Sequence, residues 1–210
     1  MHAPSFIKMH GSGNDFVVID VRTEAVAIGA AQARAIADRR TGVGCDQLIV
    51  IERPHNAKAQ ARMRIFNADG SEVAACGNAT RCVADLLMRE QNARQVTIET
   101  KAGLLCGEAE TNGRISVDLG PVRTDWRDIP LAEPHDPLHL AIAFGMLSDP
   151  VAVSVGNPHA VFFVDAVAAV PLATLGPDIE HHPLFPARTN VEAVEVLACD
   201  RLRVRVWERG

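Results

Sequence analysis

The stretch "GNDFVVID", residues 13–20, is a glycine–asparagine step, then an unbroken apolar run that closes on an aspartate. A run of that length and β-branched content predicts a strand, with the Gly-Asn step as the turn that starts it. The same order returns as "GNPHAVFFVD" at 156–165. A second match follows each copy at nearly the same interval: "RMRIF" begins at Arg62 and "RVRVW" at Arg203. Short strand patterns recur by chance. Two matches in the same order at similar spacing instead point to a duplicated unit.

Further strand-like runs lie at 46–52, 94–100, 114–120, 152–157, 191–198 and 201–207. Helical periodicity marks 30–40, with arginines in its last turn, and 78–91, with Asn78 as candidate N-cap. Prolines at 121, 130, 134 and 137 read as a crossover between lobes, because apolar residues persist through them. The expected fold is α+β: two similar, pseudo-symmetric lobes, each a strand-rich sheet or barrel around a central helix, facing across a cleft. The N-terminal lobe is placed at 1–117 and the C-terminal lobe, expected to be incomplete, at 118–210.

Composition narrows the function classes. A formal charge of −5 with scattered basic residues gives no reason to expect nucleic acid or an acidic membrane as partner. No apolar run is long enough to span a bilayer, and the first residues show no signal-peptide core. Five cysteines, at 45, 76, 82, 106 and 199, without a secretory signal suggest reduced thiols and a cytoplasmic location. None is spaced as a zinc-binding pair, so no metal is expected.

Cys76 stands in "AACGNATRCVADLL", 74–87. A helix starting just after it would leave the amides of Gly77, Asn78 and Ala79 without partners inside the helix. Those amides favour an anion, and Gly77 allows close backbone approach. The same field favours the Cys76 thiolate over a thiol whose pKa is about 8.5 in water. A buried, inert cysteine is the alternative. The coincidence of glycine and helix start favours a working thiol. Cys82, mid-helix on the face of Leu86, reads as core, and Cys45 in "TGVGCDQ" is a conceivable cleft residue. "HGSG" at 10–13 lacks the pattern of a nucleophile elbow.

Taken together, "MHGSGNDF", "GCDQLIVIE", "RIFNADGSEVAACGNATRC", "GNPHAV", "FPARTNVEAVEV" and "RVWERG" resemble the diaminopimelate epimerase family, in order and across nearly the whole chain. The resemblance implies inversion of one stereocentre of diaminopimelate, LL to meso, on the route to lysine and peptidoglycan precursors. It implies neither pyridoxal phosphate nor metal, and a homodimer rests on it alone. Inversion needs one acid/base group on each side of the carbon, here a thiolate and a thiol. The resemblance makes Cys76 one of them, with Gly77 and Asn78 at the reacting carboxylate and amine. It gives the distal end of the substrate to Asn67, Asn157, Asn190, Glu208 and Arg209, and lines the cleft with Asn14 and Gln47.

Read without the resemblance, Asn14 and Asn157 are turn residues and Asn67 opens the "NADG" turn. Glu208 and Arg209 would be a solvated pair, and His159 a structural histidine or a support within the cleft. Two departures stand out. Ala79 occupies a position where the family pattern leads one to expect glycine. The repeat places the second cysteine about seven residues beyond Gly210, so the chain is expected to be truncated and unable to complete a two-base reaction. Alternatives are an isomerase like proline racemase or the phenazine-biosynthesis enzymes, or a non-catalytic amino-acid-binding protein. A cysteine hydrolase would need a histidine set against Cys76.

Overall fold

The computed structural model describes residues 5–23 and 26–209. Residues 1–4, part of the N-terminal stretch read as lacking a signal-peptide core, and Gly210, the last residue of the terminal motif, lie outside the described residues. The chain forms two compact units, Met1–Gly120 and Pro121–Gly210.

Unit 1 is a sheet with two helices. Strands β1 (Ile7–Gly11) and β2 (Asn14–Asp20) form a hairpin, and helix α1 (Ala30–Ala37) leads to β3 (Gln47–Glu52). Strand β4 (Ala61–Asn67) and the short β5 (Glu72–Val73) precede helix α2 (Gly77–Gln91). Strands β6 (Gln95–Thr100), β7 (Gly103–Ala109) and β8 (Ile115–Asp118) complete the unit. The sheet order is β1-β2-β3-β4-β6-β7-β8, with β5 on β4. β2 runs parallel to β3 and β4 parallel to β6, because each pair is joined through a helix.

Alternation along the strands divides the core. Val18, Ile49, Ile51, Met63 and Ile65 face α2, which answers with Ala79, Val83, Ala84 and Leu87. Val17, Ile19, Leu48, Val50 and Phe66 point the other way, toward Ala33 and Ala37 of α1. Each large side chain so buried contributes about 1.5–3 kcal/mol. The contact with β7 is close: a Cβ on Gly107 would lie 2.5 Å from the Cβ of Ala84.

Unit 2 contains the two-stranded β9 (Ala143–Phe144) and β10 (Leu147–Ser148), then β11 (Val151–Ser154) and β12 (Pro158–Phe163). Helix α3 (Leu172–Glu180) follows, then β13 (Asn190–Ala198) and β14 (Arg201–Trp207). The main sheet runs β11-β12-β13-β14. Its inner face packs Ala160, Phe162, Val191 and Ala193 around Ile179 of α3. Trp207 lies against Gly176, where a Cβ would sit 2.4 Å from the indole, and its Nε1 donates to Glu180 Oε2 at 2.8 Å.

The duplication read from sequence is present in the topology. In unit 1 the sequence β1–β2–β3–β4 pairs antiparallel, parallel, antiparallel. In unit 2 β11–β12–β13–β14 does the same. A helix separates the parallel pair in both. Register fixes the equivalences. Phe16 pairs with Gln47 as His159 pairs with Asn190, and Leu48 pairs with Phe66 as Val191 pairs with Trp207. Asn14 therefore corresponds to Asn157, Gln47 to Asn190, and Asn67 to Glu208.

Some elements depart from the sequence expectation. α1 stops at Ala37, not Arg40, because Asp38 Oδ1 accepts the backbone N–H groups of Arg40 and Thr41, both at 2.7 Å, and turns the chain. β1, β5, β7, β9, β10 and α3 had not been foreseen.

Candidate active site

In unit 1 the predicted site residues gather where strand ends meet the start of α2. Ser12 and Gly13 join β1 to β2 with φ of 50° and 95°, a two-residue turn with both central residues left-handed. "HGSG" is thus a hairpin corner, and it delivers Asn14 at the first position of β2. Gln47 opens the parallel neighbour β3, and Asn67 closes β4 opposite it.

Helix α2 is capped two residues earlier than its sequence suggested. Cys76 is its N-cap, in extended conformation, and Gly77 its first residue. Asn78 is therefore not the cap. Its side chain reaches sideways, Nδ2 donating to Asn14 Oδ1 at 2.8 Å. The Cys76 carbonyl accepts both the N–H (2.9 Å) and the hydroxyl (2.8 Å) of Thr80, which ties the cap to the first turn. β1 backs that turn closely: a Cβ on Gly11 would meet the Asn78 carbonyl at 3.4 Å and Cys82 Sγ at 3.6 Å. The amides of the first helical residues point out of this turn and suit an anion.

Cys76 is half-buried, one side packed on the core, and no disulfide joins any of the five cysteines. Cys82 is core, as its helical position implied, and burial pushes its thiol pKa up. Cys45 is core too, 1% exposed and likewise raised by burial, so it is not the cleft residue its loop suggested. Cys199 is exposed in the β13–β14 hairpin.

Two side-chain networks that sequence reading missed support this corner. An Arg81 Nη2 donates to Ser12 Oγ at 2.7 Å and also to Asn78 Oδ1. On the far side, Gln47 Nε2 donates to Asn67 Oδ1 at 3.0 Å, Asn67 Nδ2 to Ser71 Oγ at 3.2 Å, and Ser71 Oγ to Asp69 Oδ1 at 2.6 Å. Arg81 could have been found three residues after Asn78, one helical turn along.

Unit 2 gathers the equivalent positions. Gly156 (φ 106°) precedes Asn157, as Gly13 precedes Asn14. Asn190 is buried at the start of β13, its Nδ2 donating to the Pro158 carbonyl at 3.3 Å and its Oδ1 accepting the Arg209 N–H at 3.0 Å. Arg209 Nη1 donates to the Ala187 carbonyl at 2.7 Å, and burial lowers its pKa. Glu208 is exposed. His159 has both ring nitrogens engaged, Nδ1 with Glu192 Oε1 at 2.7 Å and Nε2 with Asn157 Oδ1 at 3.1 Å. Glu192 was missed, although a lone carboxylate inside "NVEAV" was a signal. Among the described residues no group of three or more His, Cys, Asp or Glu side chains could hold a metal ion. No described helix is long and apolar enough to cross a membrane.

Two units with the same order of strand pairing and a helix within each parallel pair define an α+β fold of duplicated topology. Solved structures agree on the fold. A probable proline racemase from Agrobacterium radiobacter matches with TM-score 0.65 and 16% identity, covering 97% of this chain and 70% of that one. A hydroxyproline epimerase from Agrobacterium vitis matches with TM-score 0.65 and 16% identity, covering 96% and 69%.

Sequence comparison is more specific. The profile of the family described as diaminopimelate epimerase matches residues 6–124 and 151–210. The diaminopimelate epimerase of Rhodospirillum centenum is 56% identical over 205 residues, 98% of this chain and 70% of that protein. That of Rhizorhabdus wittichii is 57% identical over 206 residues, 98% and 72%. The chain belongs to the diaminopimelate epimerase family, and is an isomerase of the epimerase type.

Proposed function

We propose that this protein interconverts LL- and meso-diaminopimelate by two-base proton transfer, a thiolate removing the α-proton on one face and a thiol supplying a proton on the other, without pyridoxal phosphate or metal. The observation that carries this reading is the half-buried Cys76 at the N-cap of α2, a helix whose first turn brings Asn78 to Asn14. Cys76 as thiolate takes the α-proton while a thiol on the opposite side of the carbon gives one. Negative charge develops on the α-carbon and its carboxylate. The amides of Gly77, Asn78 and Ala79 stabilise it, each such donor contributing about 3 kcal/mol to the transition state. The family resemblance gives the distal amino-acid end to Asn67, Asn157, Asn190, Glu208 and Arg209, with His159 in support. The reaction serves lysine and cell-wall precursor synthesis in the cytoplasm, where thiols stay reduced.

The repeat assigns the opposing thiol to a position after β14. The other cysteines within these 210 residues do not occupy it: Cys45 and Cys82 are core, Cys106 lies within β7 of unit 1, and Cys199 precedes its strand. A polypeptide limited to these residues is therefore expected to exchange the substrate α-proton with solvent but not to complete inversion.

The test is diaminopimelate in D₂O, followed by mass spectrometry and chiral chromatography. Deuterium uptake without inversion is expected, and Cys76→Ala should abolish the uptake. Uptake that survives Cys76→Ala removes the thiol from the mechanism. Proline, tested alongside, should neither exchange nor compete, because a site built for two amino-acid ends leaves its distal polar groups unpaired against it.

A further inference from the structure

Four amide side chains stand at the unit 1 corner, and an amide can present either its oxygen or its nitrogen. Two hydrogen-bond chains remove that freedom, each ending on a group with only one hydrogen-bonding sense.

The first begins at Arg81. A guanidinium only donates, so the atom of Asn78 it meets is Oδ1. That turns Asn78 Nδ2 toward Asn14, which answers with Oδ1 at 2.8 Å. The remaining polar group of Asn14 is its Nδ2, a donor. The second begins at Asp69. A carboxylate only accepts, so the single hydroxyl proton of Ser71 goes to Asp69 Oδ1 at 2.6 Å. Ser71 Oγ can then only accept from Asn67, whose Nδ2 lies 3.2 Å away. Asn67 Oδ1 in turn accepts from Gln47 Nε2 at 3.0 Å. What remains on Gln47 is Oε1, which is buried and has no hydrogen-bond partner among the described residues.

The two chains end in opposite senses on neighbouring parallel strands. We propose that Arg81 and the Ser71–Asp69 pair are positioning residues that make Asn14 a fixed donor and Gln47 a fixed acceptor, so that this corner receives a carboxylate at Asn14 and an ammonium at Gln47. The assignment rests on the amino-acid substrate proposed above. It adds which charged group faces which side chain and what sets the orientation. A buried carbonyl oxygen without a partner is costly, and an ammonium relieves that cost, whereas a carboxylate placed there would be repelled.

The polarity itself can be read without substrate. In the ¹³C,¹⁵N-labelled chain, couplings across hydrogen bonds are expected from Asn78 Nδ2 to the Asn14 side-chain carbonyl, and from Gln47 Nε2 to that of Asn67. Couplings in the reverse direction would overturn the inference, whatever the substrate.

Calorimetric titration with diaminopimelate tests the consequence. Arg81→Met frees the Asn78 and Asn14 amides to turn and should weaken binding about tenfold, the worth of one hydrogen bond. Arg81→Lys keeps a donor and should recover most of it. Asn14→Asp, equal in shape but acceptor only, should weaken binding about a hundredfold. Gln47→Glu keeps an acceptor and should lose less than Asn14→Asp. Equal losses for these last two, or unchanged binding in Arg81→Met, would overturn the inference. Wild type that fails to bind diaminopimelate while the couplings run as expected would instead remove the substrate reading and leave the polarity standing.

Discussion

Asp15, next to Asn14, shows how one side chain can hold a site. Its Oδ1 accepts the Asp46 N–H at 2.9 Å, and Asp46 Oδ2 accepts the Asp15 N–H at 3.0 Å. This reciprocal pair staples the start of β2 to the residue before β3, and so holds together the strand ends that carry Asn14 and Gln47. Arg39 and Lys8 both reach the Asp15 carboxylate at 2.7 Å. The Arg39 hydrogen bond, followed by Lys8 and the Asp46 contacts, holds its pKa far below the usual carboxylate range, against the opposing pull of desolvation. A depressed folded-state pKa adds stability above the unfolded value, and that stability is lost as pH falls toward the folded one. Arg39→Gln is therefore expected to melt below wild type at pH 7, with the gap closing as pH falls below about 4. Because Arg39 is largely exposed, the gap should also shrink in high salt. Thermal melts across pH and salt check both trends.

At the scale of elements, α2 carries the thiol cap and the amides, and its seat on the sheet depends on Gly107. Gly107→Ala would set its methyl 2.5 Å from Ala84 Cβ, so helix or strand must shift. Overpacking of this kind costs about 1–3 kcal/mol. A lower melting temperature and slower alkylation-sensitive deuterium exchange at the Cys76 site are expected together, and Gly107→Ala combined with Ala84→Gly should restore much of both. The sequence showed α2 and the long apolar strands because burial on one or both faces writes a clear period into them. It concealed β1, whose "IKMHG" is mostly exposed, and β7, whose Gly107 answers to the helix above it. α3 was hidden by Gly176, needed beneath Trp207, and by Pro177 inside the helix. The candidate site residues were named through resemblance. Their supports, Arg81, Ser71, Asp69 and Glu192, were not, because hydrogen bonds between separated residues leave no periodic trace.

At the scale of the whole molecule, the repeat shows where the two units differ. Ala61, Met63 and Ile65 of β4 are buried against α2. Their counterparts on β14 are Leu202, Val204 and Val206, exposed at 56%, 46% and 50%. β14 is also the edge of its sheet, pairing only with β13. An apolar row on an edge strand invites association. A polypeptide of these 210 residues is expected to self-associate with rising concentration, and Val204→Lys to shift it toward monomer, as read by sedimentation equilibrium. Unchanged sedimentation in Val204→Lys would show that β14 does not drive association. Among the described residues every strand pairs within its own unit. During synthesis, then, the nascent first 120 residues already hold every partner their sheet requires. They can reach their final arrangement while the ribosome is still adding the second half, and the thiol corner is built before its counterpart has left the exit tunnel.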